Sequence, residues 1–159
     1  MVLLGGARSG KSARAVQLAD DAGAPVVFVA TGEGRDEEMA ARIAAHRRER
    51  PETWTTIEEP LDVRAALDAA PAGSTVVVDC LSLWVANLLE QGLEPDDLAP
   101  VAAARQGLTI AVSNEVGLGI VPANELARRF RDVLGRVNAS WVDASDEAFL
   151  CIAGRTIAL

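Results

Sequence analysis

Hydrophobic residues fall along this chain in two alternating rhythms. Continuous β-branched runs, "PVVFVA", "STVVVDC" and "LTIAVS", read as strands buried on both faces. Between them, apolar positions recur three and four apart, the spacing of a helix. Met1–Leu4 is a first short run that ends in glycine, and "KSARAVQLADDAG" follows as a helix closed by Gly23. "DEEMAARIAAHRRER" is a helix with acid at its start and base at its end, as its dipole prefers, and Pro51 stops it. "TWTTIEE" reads as a strand, and "LDVRAALDAA" as a helix halted by Pro71 and Gly73. "LSLWVANLLEQG" is a helix ending at Gly92, and "PDDLAPVAAARQ" is a weak one, broken or offset by Pro100. "PANELARRFRDVLGRVNASW" is mainly helix, and "EAFLCIAG" with "TIAL" closes the chain as a strand pair. Strands and helices in alternation imply an α/β fold, a mostly parallel sheet with helices on both faces. No repeat, low-complexity tract or linker divides the chain, so a single domain over residues 1–159 is expected.

Composition narrows the partners. Half of the residues are hydrophobic but only 4% are aromatic, so Ala, Val, Leu and Ile must fill the core. A net charge of −8 argues against a general polyanion binder, and no basic groove suits a nucleic acid. A local cationic pocket for a small anion is still compatible with that balance. The most apolar segment, "VVVDCLSLWVANLL", is short and carries Asp79 and Asn87, so no membrane span is expected. No signal peptide is visible, because Gly5, Gly6 and Arg8 interrupt the first apolar run. Cys80 and Cys151, with one histidine in the chain, do not make an ordinary zinc site. Both read as buried free thiols in a reducing cytoplasm.

Gly5, Gly6, Ala7, Arg8, Ser9, Gly10, Lys11 and Ser12 spell "GGARSGKS", which fits G-x-x-x-x-G-K-[ST] between a strand and a helix. Glycines let backbone N–H groups curl around phosphate oxygens, and the helix start adds partial positive charge. Lys11 suits the β- and γ-phosphates of a nucleotide, and Ser12 suits Mg²⁺. The chain has fourteen arginines and a single lysine, and that lysine occupies the motif position. A compact ammonium, rather than a planar fork, is wanted there. The expected build is therefore a phosphate-loop (P-loop) NTPase of RecA-like type. Asp79 ends the run "TVVVD" at the carboxyl edge of the sheet, where it suits Mg²⁺ held through water. It also suits the cap of the helix that begins at Cys80.

The single histidine, His46, stands in "RIAAHRRERP". Met39, Ile43, His46 and Arg50 form one stripe of a helix, with Arg42 a turn earlier and Arg47 alongside. Two readings fit. In one, the arginines suit a helix end and the imidazole packs half-buried. In the other, His46 is a nucleophile beside an anion site. That second reading needs a free ring lone pair, since an imidazolium cannot attack phosphorus.

Four stretches carry a wider resemblance: "GGARSGKS", "VATGEGRDEEMAARIAAHRRERPETWTTIEEP", "VVVDCLSLWVANLL" and "SNEVGLGIVPANELARRFRDVLGRVN". In this order they resemble the bifunctional adenosylcobinamide kinase / adenosylcobinamide-phosphate guanylyltransferase family of cobalamin biosynthesis. The resemblance implies phosphorylation of adenosylcobinamide with ATP or GTP. It then implies GMP transfer from GTP to the new phosphate, through a covalent histidine adduct that falls on His46. It implies nucleotide contacts at Gly5–Ser12, at Ala30, Thr31 and Gly32, at Arg47, Arg48, Glu49 and Arg50, and at Glu58 and Asp79. A homotrimer follows from the same likeness. Asn114 and Glu115, in a loop with two glycines, are expected on the substrate side. Arg128, Arg129 and Arg131 read as a solvated face or subunit contact, and the three tryptophans as packing. The chain departs from the family pattern in a shortened Leu89–Thr109 segment, around Trp141 and at "GRTIAL". The rival readings are a P-loop small-molecule kinase, or a nucleotide-driven switch, without guanylyl transfer.

Overall fold

Alternate residues of the central strands feed two hydrophobic clusters on opposite faces of one sheet. Val76 and Val78 enter one cluster and Val77 the other; Val27 and Val29 are likewise opposed to Val26 and Phe28. Burial on both faces is why these strands read as unbroken apolar runs rather than as alternating ones. The computed structural model describes residues 1–48 and 50–159. Its elements are β1 (Val2–Gly5), α1 (Lys11–Asp21), β2 (Val26–Ala30), α2 (Glu37–Arg48), β3 (Thr55–Glu58), α3 (Val63–Ala69) and β4 (Thr75–Asp79). They continue with α4 (Leu81–Glu90), α5 (Ala99–Ala103), β5 (Thr109–Asn114), α6 (Glu125–Asp143), β6 (Ala148–Ile152) and β7 (Arg155–Ala158).

The strands form a seven-stranded sheet in the order β3-β2-β4-β5-β1-β6-β7. Every pairing is parallel except the terminal β6–β7 hairpin. Helices α3, α4, α5 and α6 supply one cluster and α1 supplies the other. This is the expected α/β sheet, closed by the expected strand pair. Trp84 and Trp141 are buried in the core, and Trp54 stacks on Phe28 with ring centroids 6.5 Å apart. Cys80 and Cys151 are free and buried.

The local details follow from sequence chemistry. Asp62 caps α3 by accepting from the Ala65 N–H at 2.9 Å, and Asn124 caps α6 by accepting from Ala127 at 2.7 Å. Pro100 sits in the first turn of α5, where its missing N–H is harmless. It therefore offsets that helix to a short start at Ala99 rather than breaking it midway. Arg128 differs from expectation: its guanidinium donates to the carbonyls of Pro122 and Ala123 at 3.0 and 2.7 Å, bracing the loop that enters α6. Among the described residues, no helix is long and apolar enough to cross a membrane.

Helix α2 stands apart from this scheme, since none of its described residues is buried. Its own sequence, "EEMAARIAAHRR", is mostly alanine and charge, so it has little apolar area to lay on the sheet. The stripe read from its spacing is nevertheless the inward one. Met39, Ile43, His46 and the following Arg50 are half-buried, whereas most other positions of the helix are exposed.

Candidate active site

The phosphate loop is shaped by contacts from a distant part of the chain. Gly5 has φ of +152°, and a Cβ there would lie 2.3 Å from the Cys151 carbonyl oxygen of neighbouring β6. Gly10, with φ of +97°, is the left-handed residue that starts α1, and a Cβ there would press on Gly154 at 3.2 Å. Gly154, at the tip of the β6–β7 hairpin, donates its N–H to the Ser9 carbonyl at 2.9 Å. The hairpin thus supports the loop from beneath. Nothing in the motif itself announces this, although the "AGR" turn between two short strands marks the hairpin.

Lys11 is buried at the loop, and its ammonium donates to the Gly6 carbonyl at 2.7 Å and lies 3.4 Å from the Ser9 hydroxyl. Burial pushes its pKa below the usual lysine range, while Cys80, Asp79 and Cys151 pull it back and Arg42 adds to the lowering. Asp79 ends β4 deep beneath the cleft, which alone leaves part of it accessible. Burial pushes its carboxyl above the ordinary range; a hydrogen bond from Ser12 and the charges of His46, Lys11 and Arg50 oppose that. It does not cap α4, whose first flanking residue is Cys80. The sheet order explains how these groups meet: β5 alone separates the loop strand β1 from β4, so Asn114 at its end lies between them.

Above these strand ends opens a cleft of about 1250 Å³. Arg8, Ser9, Gly10, Lys11 and Ser12 line one part; Ala30, Gly32, Glu58, Asp79 and Asn114 line the floor and side. His46, Arg47 and Arg50 face it from α2 and the turn after it. The arrangement thus brings a phosphate-type loop, carboxylates, several guanidinium groups and the single imidazole to one space. Arg47 pairs with Glu58 at 3.3 Å, both being largely exposed.

Other residues singled out from the sequence do not line the cleft. Gly5 is buried, and Gly6, Ala7 and Arg48 are exposed outside its lining. Thr31 is fully buried; its hydroxyl donates to the Cys80 carbonyl at 2.7 Å and accepts from the Cys80 N–H at 2.8 Å. Its side chain is therefore occupied within the protein. The Glu115 carboxylate turns back to accept from the Gly117 N–H at 2.5 Å, while its own N–H bonds the Gly5 carbonyl at 3.1 Å. Glu49 lies outside the described residues.

A buried polar chain runs under the cleft, and sequence reasoning missed it. Cys80 contacts the Ser82 hydroxyl at 3.0 Å, and Asn114 donates its side-chain amide to the same hydroxyl at 3.0 Å. Asn138, from mid-α6, donates to the Asn114 carbonyl at 3.0 Å and accepts from Ser113 at 2.6 Å. Asn87 donates to the carbonyls of Thr31 and Pro60 at 2.8 and 3.1 Å. These bonds tie together the carboxyl ends of β2, β4 and β5. Buried Asn87 and Asn138, each inside an apolar helix stripe, were the available signal.

Residues 1–159 match the family model described as cobinamide kinase / cobinamide phosphate guanyltransferase. The chain belongs to that family. Cobinamide kinases / cobinamide phosphate guanyltransferases are transferases, with a kinase activity and a nucleotidyltransferase activity in cobalamin biosynthesis. A bifunctional adenosylcobalamin biosynthesis protein of Pseudomonas aeruginosa is 43% identical over 160 residues, covering 96% of this chain and 92% of the relative. Proteins of the same description from Escherichia coli and Salmonella typhimurium are each 38% identical over 175 residues, covering 97% of this chain and 96% of the relative. Among solved structures, an ATPase from the type III secretion system of pathogenic bacteria covers 94% of this chain. This chain covers 49% of that ATPase, at a TM-score of 0.45 and 11% identity, a likeness too weak to bear on function.

Proposed function

We propose that this family member phosphorylates adenosylcobinamide with ATP or GTP and then transfers GMP from GTP to the product through His46. The observation that carries the proposal is the shared cleft: the single imidazole faces the same space as the phosphate loop. In the kinase step, the acceptor hydroxyl oxygen attacks the γ-phosphorus as its proton passes to water, the γ-phosphorus bond to the β–γ bridging oxygen breaks, and ADP or GDP leaves with the electron pair. Lys11 and the loop's backbone N–H groups stabilise the charge on the outer phosphates. In the second reaction, one ring nitrogen of His46 attacks the α-phosphorus of GTP with its lone pair. A P–N bond forms, the α–β bridging P–O bond breaks, and pyrophosphate leaves with the electron pair. A phosphate oxygen of adenosylcobinamide phosphate then attacks the same phosphorus, and the P–N bond breaks to give adenosylcobinamide-GDP. Splitting the exchange in this way is what covalent catalysis offers. Arg47, facing the cleft, suits the charge of the departing pyrophosphate.

The Ser12 hydroxyl and Asp79 carboxylate, both lining the cleft, form an oxygen-only donor pair that suits Mg²⁺, which takes its other ligands from water and phosphates. When bound, Mg²⁺ neutralises phosphate charge. Gly32 and Ala30 suit the nucleotide, Glu58 the guanine or the metal's water, and Asn114 the acceptor side. The remaining expected contacts, Thr31, Arg48 and Glu115, contribute through backbone or not at all. A cytoplasmic setting suits two unpaired buried thiols. A homotrimer follows from the family likeness, and the exposed apolar loop with Leu118, Ile120 and Val121 suits burial between copies.

The test is incubation with Mg²⁺ and α-labelled GTP. Wild type takes up acid-labile, alkali-stable label, and His46→Ala takes up none. Equal labelling of both proteins would overturn the assignment.

A further inference from the structure

We propose that Arg50 is a positioning residue for His46, acting through the turn that joins α2 to β3. The inference rests on the reading of His46 as the carrier of GMP. Helix α2 has no buried residue among those described, so packing alone does not set where its imidazole stands. The C-terminal end of the helix is instead held by one guanidinium. Arg50 Nε donates to the main-chain carbonyl of His46 itself at 3.1 Å. Nη1 donates to the Thr56 hydroxyl at 3.3 Å. The guanidinium carbon lies 4.1 Å from the centroid of the Phe28 ring.

These anchors are not scattered. Phe28 and Thr56 are directly opposed partners on adjacent strands β2 and β3, so Arg50 rests on a single rung of the sheet. Phe28 is buried and backed by the Trp54 ring, which makes the platform rigid. The fork therefore ties the backbone of the nucleophile's own turn to the sheet. Arg47–Glu58, the ion pair at this end, is exposed on both sides and holds little. A lysine has neither the planar face nor the divergent donors to make the three contacts together.

The Thr56 end of the tether lies away from the phosphate loop, although Arg50 and Phe28 line the same cleft as Lys11. The loop follows β1, whereas β3 is the opposite edge of the sheet with β2, β4 and β5 between them. Weakening the platform should therefore slow guanylylation of His46 and leave the kinase step alone. A residue with only a packing role would not separate the two reactions.

The experiment leaves Arg50 itself intact and alters what it rests on. Single-turnover labelling by α-labelled GTP with Mg²⁺ is compared with transfer from γ-labelled ATP to cobinamide, in Thr56→Val, Thr56→Ser and Phe28→Leu. Thr56→Val loses one bond to a charged donor and should label about fivefold more slowly. Phe28→Leu loses the ring face and should label about tenfold more slowly. Thr56→Ser keeps the hydroxyl and should label within about twofold of wild type, and all three should transfer the γ-phosphoryl within about twofold. Thr56 is half-buried on an edge strand, so its variants keep the fold even if Phe28→Leu does not. Wild-type labelling by Thr56→Val and Phe28→Leu would overturn the proposal, as would an equal fall in both reactions. Undiminished labelling of His46→Ala would instead defeat the nucleophile reading, a result these variants do not mimic.

Discussion

Two glycines of the same motif should respond oppositely to one added methyl group. At Gly5, a Cβ would sit 2.3 Å from the Cys151 carbonyl oxygen and 2.9 Å from the Ser9 hydroxyl oxygen. The first contact is with backbone on a paired strand, Gly5 being in register with Cys151, so it has no side chain to swing aside. The φ of +152° adds strain of about 1–3 kcal/mol for a non-glycine residue. Displacing a paired strand to relieve the overlap costs about 1–3 kcal/mol more, as overpacking does. Gly5→Ala should therefore destabilise the protein by roughly 2–6 kcal/mol, a large part of a typical domain's stability. For a chain of this size that corresponds to a melting temperature lower by about 10 °C. At Gly6 nothing lies within 4 Å of a Cβ and the backbone is ordinary, so Gly6→Ala should change stability by about 0.5 kcal/mol or less. Thermal unfolding of the two variants without nucleotide, followed by circular dichroism, measures both. A Gly5→Ala protein melting within 2 °C of wild type, by the same conversion about 1 kcal/mol or less, would refute the close packing of β6 against the loop.

Asp79→Asn should raise the melting temperature of the nucleotide-free protein at neutral pH, because burial penalises the carboxylate more than the amide. The folded carboxyl pKa lies above its unfolded value, so native stability falls as pH rises through that interval; the variant's advantage should be present above it and fade as pH falls towards 4, about the unfolded value. The same variant should lose Mg²⁺-dependent transfer, and a melting temperature lower than wild type at neutral pH would contradict the burial argument. Lys11→Met should reduce both γ-phosphoryl transfer and labelling of His46 by about 10²-fold or more, since the ammonium serves the outer phosphates in each; retention of either rate would separate the two sites. Asn87→Ala removes donors from the Thr31 and Pro60 carbonyls and should lower stability by about 2 kcal/mol, measured by urea unfolding. An unchanged midpoint would show that those carbonyls find other partners.

Much of this molecule was legible in one dimension. The loop from Gly5 to Ser12 is contiguous, and its phosphate-binding shape needs only a preceding strand and a following helix. The continuous runs of β2, β4 and β5 declared a sheet covered on both faces, because a strand in that position has no polar side to show. Helical spacing placed Met39, Ile43, His46 and Arg50 on one line, and that line is the half-buried side of α2. Each of these readings depends on neighbours within a few residues, and over that range the backbone's own geometry decides which side chains share a face.

Strand order, by contrast, is decided by packing summed over the whole chain. Nothing within β6 or β7 states that their hairpin tip will support the phosphate loop, because Gly154 and Ser9 meet only once β1 has been laid between β5 and β6. The polar chain through Cys80, Ser82, Asn114 and Asn138 likewise draws on two helices and on the ends of two strands. Thr31 was expected at the nucleotide from the family likeness, yet the fold turned its hydroxyl onto Cys80. Periodicity says which side of an element is apolar; it carries no label for the element that will cover it. The chemistry of the site was thus written locally in its side chains. The distances between them came from long-range packing, whose energy no short segment contains.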